Sequence, residues 1–113
     1  MKVKIMGTTR KMETIEVVSK FIEDFKSMHP KEIEDLFSYG YCYWFAKILA
    51  DRFDGEIRYL PIKNHFFTRI AGEDYDISGH ISHHNEEDFN WNFYQSIEPR
   101  GSIRIIRDCI LKI

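Results

Sequence analysis

The chain has 113 residues, 43% of them hydrophobic and 30% charged, with a formal net charge of −2. That length and composition suit one domain spanning residues 1–113, with enough apolar material for a core that needs no disulfide or metal staple. The mild acidity leaves no broad basic field for phosphate neutralisation, so a nucleic-acid partner is not expected. No apolar run approaches the ~20 residues that a membrane span requires. The start, MKVKIMGTTRK, lacks a secretory apolar region, so the default expectation is an intracellular, cytoplasmic protein with reduced thiols.

KVKIMG at residues 2–7 alternates apolar and polar and reads as a short strand ended by Gly7. Residues 12–28 read as an amphipathic helix, with Ile15, Val18, Ile22 and Phe25 on one stripe and His29-Pro30 ending it. PKEIEDLFS suggests a second short helix, with Pro30 near its first position and Ile33, Leu36 and Phe37 facing inward. Ser38 to Tyr41 is then a tight connection around Gly40. A third helix runs from about Cys42 to Phe53, burying Phe45, Ile48 and Leu49, with Ala46 allowing close approach. Asp54-Gly55 ends it.

Beyond that point the pattern becomes strand-like. Residues 56–62, 65–71 and 74–78 are short, aromatic and β-branched, and turn signals separate them. Pro61 ends the first strand early or marks an edge. A hairpin that turns at Ala71-Gly72 sets Ile70 opposite Glu73. In that register Phe66, Ile70, Tyr75 and Ile77 share an apolar face, while His65, Arg69, Asp74, Asp76 and Ser78 share a polar one. GHISHHNEEDFN reads as a polar loop, and WNFYQSI as a short helix or strand. SIRIIRDCILKI reads as a last strand with Cys109 in the core, and Arg100, just ahead of it, with Arg104 and Arg107 reads as a solvated face rather than a basic patch. The class is α+β: N-terminal helices packed on a small antiparallel sheet.

Chemistry concentrates on Cys42. A thiol at a helix N-terminus gains thiolate character from the macrodipole, and an adjacent imidazole adds to it. The hairpin register makes His65 the diagonal neighbour of Asp76 on one face, close enough for two polar side chains to meet. The competing reading makes Cys42 a small apolar residue in an aromatic core, with His65 a strand cap and Asp76 paired to Arg69. His80, His83 and His84 invite a metal reading, but their spacing fits no zinc pattern, so neither metal nor cofactor is expected. Trp91, Phe93 and Tyr94 read as core, or else as an exposed recognition patch.

The stretch GYCYWFAKILADRFDGEI, followed by NHFFTRIAGEDYDISG, resembles the papain-like and transglutaminase-like cysteine fold. The resemblance spans residues 39–79 and includes a Tyr75-Asp76-Ile77-Ser78-Gly79 segment matching a "yyD-x-x-G" pattern. It implies a papain-like core with Cys42 as nucleophile, His65 as general base and acid, and Asp76 orienting His65. No Gln or Asn precedes Cys42 in that region. The oxyanion donors would then be the Cys42 N–H with the Tyr39 or Tyr41 hydroxyl, and His80 would stand at a substrate-facing rim. The implied function is a thiol-dependent hydrolase or acyl transferase acting on a protein or peptide-like substrate. The alternative is a non-catalytic phage or mobile-element type protein that inhibits a macromolecular partner by occupying it.

Overall fold

The computed structural model describes residues 7–28, 32–39, 41–81 and 87–111. In chain order these form α1 (Gly7–Ser27), α2 (Glu32–Tyr39), α3 (Cys42–Phe53), β1 (Glu56–Leu60), β2 (His65–Ile70), β3 (Glu73–Asp76), β4 (Gly79–Ile81), β5 (Phe89–Asn90), α4 (Trp91–Ile97) and α5 (Pro99–Leu111). The class is α+β, as expected, with an antiparallel five-stranded sheet in the order β4-β3-β2-β1-β5. The expected strand at residues 2–7 lies outside the described residues, except that Gly7 opens α1.

Helix α3 organises the interior. Cys42, Tyr43, Phe45, Ala46 and Leu49 are all buried, a wide face following the helical 3–4 spacing. One side of it joins Ile57, Tyr59, Phe66 and Trp91. The other joins Val18, Ile22, Ile70, Tyr75 and Ile77. The apolar stripe of α1 is thus used as read, with Val18 and Ile22 sealed and Ile15 and Phe25 packed beside them. A buried hydrogen bond ties helix to sheet: the Thr68 hydroxyl donates to the Ala46 carbonyl at 2.8 Å.

The exit from α3 is sharper than a glycine stop. Asp54 itself takes the left-handed backbone (φ 55°), and its N–H donates to the Ala50 carbonyl. Gly55 is reserved for close approach, since a Cβ there would lie 2.8 Å from Ile70 Cγ1 and 3.0 Å from the Arg69 carbonyl oxygen. The β1 strand stops at Leu60, directly before Pro61. The β2–β3 hairpin has the expected register, Ile70 opposite Glu73 and Arg69 opposite Asp74. Its two-residue turn places both Ala71 (φ 51°) and Gly72 (φ 84°) in positive φ, the geometry of a type I′ turn.

The chain after residue 78 departs from the sequence reading. GHI is strand β4, not loop, because its backbone pairs with β3. Residues 82–86 lie outside the described set. WNFYQSI is helical, capped by the Asn90 side chain, which accepts from the Phe93 N–H. The expected last strand is helix α5. Its two-residue alternation of isoleucine and arginine is outweighed by the helical set Ser102, Ile105 and Ile106, which faces inward. Pro99 at the first turn suits a helix start. Arg100, Arg104 and Arg107 are exposed on that helix rather than on a strand. The side chain of Cys109 is outside the described set.

Candidate functional site at the head of the central helix

Cys42 is the first residue of α3, and His65 is the first residue of β2. Asp76 is the last residue of β3. The register that pairs Ile70 with Glu73 also carries Asp76 to the level of Phe67, diagonal to His65. The side chains close that gap. His65 Nε2–H donates to Asp76 Oδ2 at 2.9 Å, and the ring also hydrogen-bonds the Cys42 sulfur. Since Nε2 is taken by Asp76, Nδ1 is the nitrogen left for Cys42.

Asp76 is held from its other side as well. Its Oδ1 accepts from the Ser78 backbone N–H at 2.8 Å and from the Ser78 hydroxyl. Such a local Asx turn fixes the carboxylate before any partner arrives. Ser78 was legible as a polar-face residue, but its holding role was not; the Asp-x-Ser spacing was the available signal. Arg69 does not compete for Asp76. It pairs with Asp74 at 2.7 Å and with Asp88 at 3.3 Å. Asp88 in turn accepts from Arg58 at 2.7 Å, which joins β1 and β2 to the segment ahead of β5. The polar face is therefore not an open surface: Phe67 within it is sealed and Asp74 is nearly so.

The electrostatics follow from these contacts. Burial lowers the His65 pKa, but hydrogen bonds with Asp76 and Cys42, and their negative charge, push it up to about 9. Burial raises the Asp76 pKa, yet bonds from His65 and Ser78 and the imidazolium charge bring it below the usual carboxylate value. The shifts favour a His65 imidazolium paired with the Asp76 carboxylate at neutral pH. An imidazolium beside a sulfur at a helix N-terminus supports a nucleophilic thiolate and can later return a proton.

The remaining expected residues are placed differently. Tyr41 is the N-cap of α3 and half-buried; its carbonyl accepts from the N–H groups of Trp44 and Phe45. The Tyr39 side chain lies outside the described residues. His80 sits on β4 opposite Tyr75, and its ring bonds Glu73 at 2.8 Å instead of joining the cluster. His83 and His84 lie outside the described residues. Asn64, immediately before His65, takes a left-handed backbone (φ 50°), and its Oδ1 accepts from the Tyr59 hydroxyl at 2.7 Å. A groove of about 410 Å³ runs elsewhere, between α1 and the end of α3, with Phe21, Arg52 and Phe53 among its walls and no cluster residue lining it. No described helix is long and apolar enough to cross a membrane.

Fold and cluster together define a small α+β protein in which a helix-opening cysteine meets a hairpin His–Asp pair. The chain belongs to the phage YunG-like protein family, whose sequence model matches residues 20–99. That membership corrects the resemblance drawn above: the matching family is not a papain-like or transglutaminase-like one. The similarity had rested on three residue types in order within residues 39–79, which a different family also accommodates. No curated protein and no solved structure matches the chain.

Proposed function

We propose that Cys42, His65 and Asp76 form a thiol-based reactive centre in this phage-type protein, acting on an acyl or amide carbon of a protein or peptide-like substrate. The observation that carries this reading is the 2.9 Å His65–Asp76 hydrogen bond beside Cys42 at the head of α3, with Cys42 among the groups that raise the His65 pKa. The Cys42 sulfur attacks the carbonyl carbon, forming a C–S bond as the C=O π electrons move onto oxygen. That oxygen is met by the Cys42 backbone N–H, with a Tyr39 or Tyr41 hydroxyl as second donor. The tetrahedral species collapses, the C–N bond breaks, and the His65 imidazolium gives its proton to the departing amine. Water or an acceptor amine then loses a proton to His65 and attacks the thioester, releasing the acyl group and restoring the thiolate–imidazolium pair. Asp76 keeps the ring oriented and its charge compensated, and His80 belongs at most to the rim.

The test is the rate of Cys42 alkylation by iodoacetamide, followed by intact mass. The wild-type protein should react near neutral pH, and His65→Gln should slow the reaction by at least about tenfold. A native Cys42 that is inert near neutral pH sinks the proposal.

A second reading has its own support. Family membership fits a non-catalytic phage-type protein, acting by occupying a macromolecular partner, better than it fits a hydrolase. Cys42 is also only 4% exposed. The two readings part on Cys42→Ala: the thiol reading expects loss of biological effect in a folded protein, and the occupancy reading expects the effect to persist.

A further inference from the structure

Helix α5 presents two faces of opposite character. Ser102, Ile105 and Ile106 turn inward, the isoleucines packing against the cluster that contains Cys42 and Tyr43. At 100° per residue, Arg100, Ile103, Arg104 and Arg107 fall together on the opposite side, and all four are exposed. Ile103 is 65% exposed in the middle of the three arginines. The only ion pair recorded for these arginines among the described residues is the exposed contact of Arg107 with its neighbour Asp108. The helix thus carries three arginines against one aspartate in a chain of net charge −2. Two further large apolar side chains, Phe93 and Ile97, stand exposed one turn apart on α4, which packs against α5.

We propose that this outer face of α5 is a docking surface for an acidic, amphipathic segment of another protein. The occupant follows from the chemistry. Arginines around an apolar residue are the composition of a protein interface, where guanidinium groups meet carboxylates and the apolar centre is desolvated. A phosphate backbone offers nothing to Ile103. Three arginines on an acidic chain also provide little of the phosphate neutralisation on which nucleic-acid binding rests. The family match covers residues 20–99 and so stops where α5 begins. The inference is independent of what Cys42 does.

The test uses the full chain and a fluorescein-labelled helical peptide of glutamate and leucine as the probe, with double-stranded DNA of similar charge as comparison. Anisotropy should show peptide binding that weakens between about 50 and about 200 mM salt. The triple variant Arg100→Gln, Arg104→Gln, Arg107→Gln should bind about tenfold or more weakly, and Ile103→Ser should also lose affinity. Circular dichroism should be unchanged in both, because all four side chains are exposed. The proposal is overturned by absent peptide binding, by variants that bind as tightly as wild type, or by preference for DNA. It is equally overturned if light scattering shows that the face instead pairs two copies of the chain, with a dimer that the triple variant abolishes.

Discussion

Burial is the largest single influence on the His65 pKa and lowers it, but the hydrogen bonds and charges of Asp76 and Cys42 together outweigh it. A group whose pKa is raised on folding, here from 6.5 to about 9, contributes stability that is complete below 6.5 and is lost as pH rises through 9. Asp76, whose pKa is lowered, contributes stability present above its ordinary value of 3.8 and lost as pH falls through its folded value. Urea midpoints should therefore fall for the wild type between pH 6.5 and 9, and the fall should flatten in His65→Gln; parallel slopes would contradict the cluster. The pairing of His65 with Asp76 was legible because one hairpin register fixes it. The grip of Ser78 on Asp76 and of Tyr59 on Asn64 was not, because each depends on side-chain rotamers that sequence spacing does not set.

At the scale of elements, two turn positions give opposite expectations. Gly55→Ala forces a Cβ against Ile70, Thr68 and the Arg69 carbonyl, and should cost about 1–3 kcal/mol in chemical denaturation. Ala71→Asn puts a residue suited to positive φ into the type I′ turn and should stabilise by up to about 1 kcal/mol; a loss of stability there would refute the turn assignment. Helix α3 and strands β1 to β3 were legible because their turn residues and apolar spacing agree. Strands β4 and β5 were not, since two or three residues carry too little pattern and form only through their partners. In α5 the alternation of Ile103, Ile105 and Arg107 mimicked a strand. The decisive fact, Ser102 sealed beside Ile105 and Ile106, is a packing outcome.

For the whole molecule, α3 is the shared wall of two apolar clusters, one holding Trp91 and the other Phe45. Damage on one side should be felt on the other. Phe45→Ala should cost about 3–5 kcal/mol. It should shift the unfolding midpoint read from the fluorescence of buried Trp91, in a Trp44→Phe background, by as much as the midpoint read from far-ultraviolet circular dichroism. Midpoints that separate would mean the clusters unfold independently.

The strand order has a consequence of a different kind, a matter of tether length. β4 and β5 are successive in the chain yet occupy opposite edges of the sheet. The chain leaving Ile81 must therefore cross the full width, about 19 Å, and three residues along the strands, about 22 Å in all, before it can enter β5 at Phe89. Fully stretched, the seven intervening residues provide about 26–29 Å of reach. Removing two residues leaves at most about 20–22 Å of reach and no slack, and removing four falls well short, whereas inserting several glycines costs little in closure entropy. The molecule should accept lengthening between residues 82 and 87 and refuse shortening, so the width of its own sheet acts as the ruler for that connection.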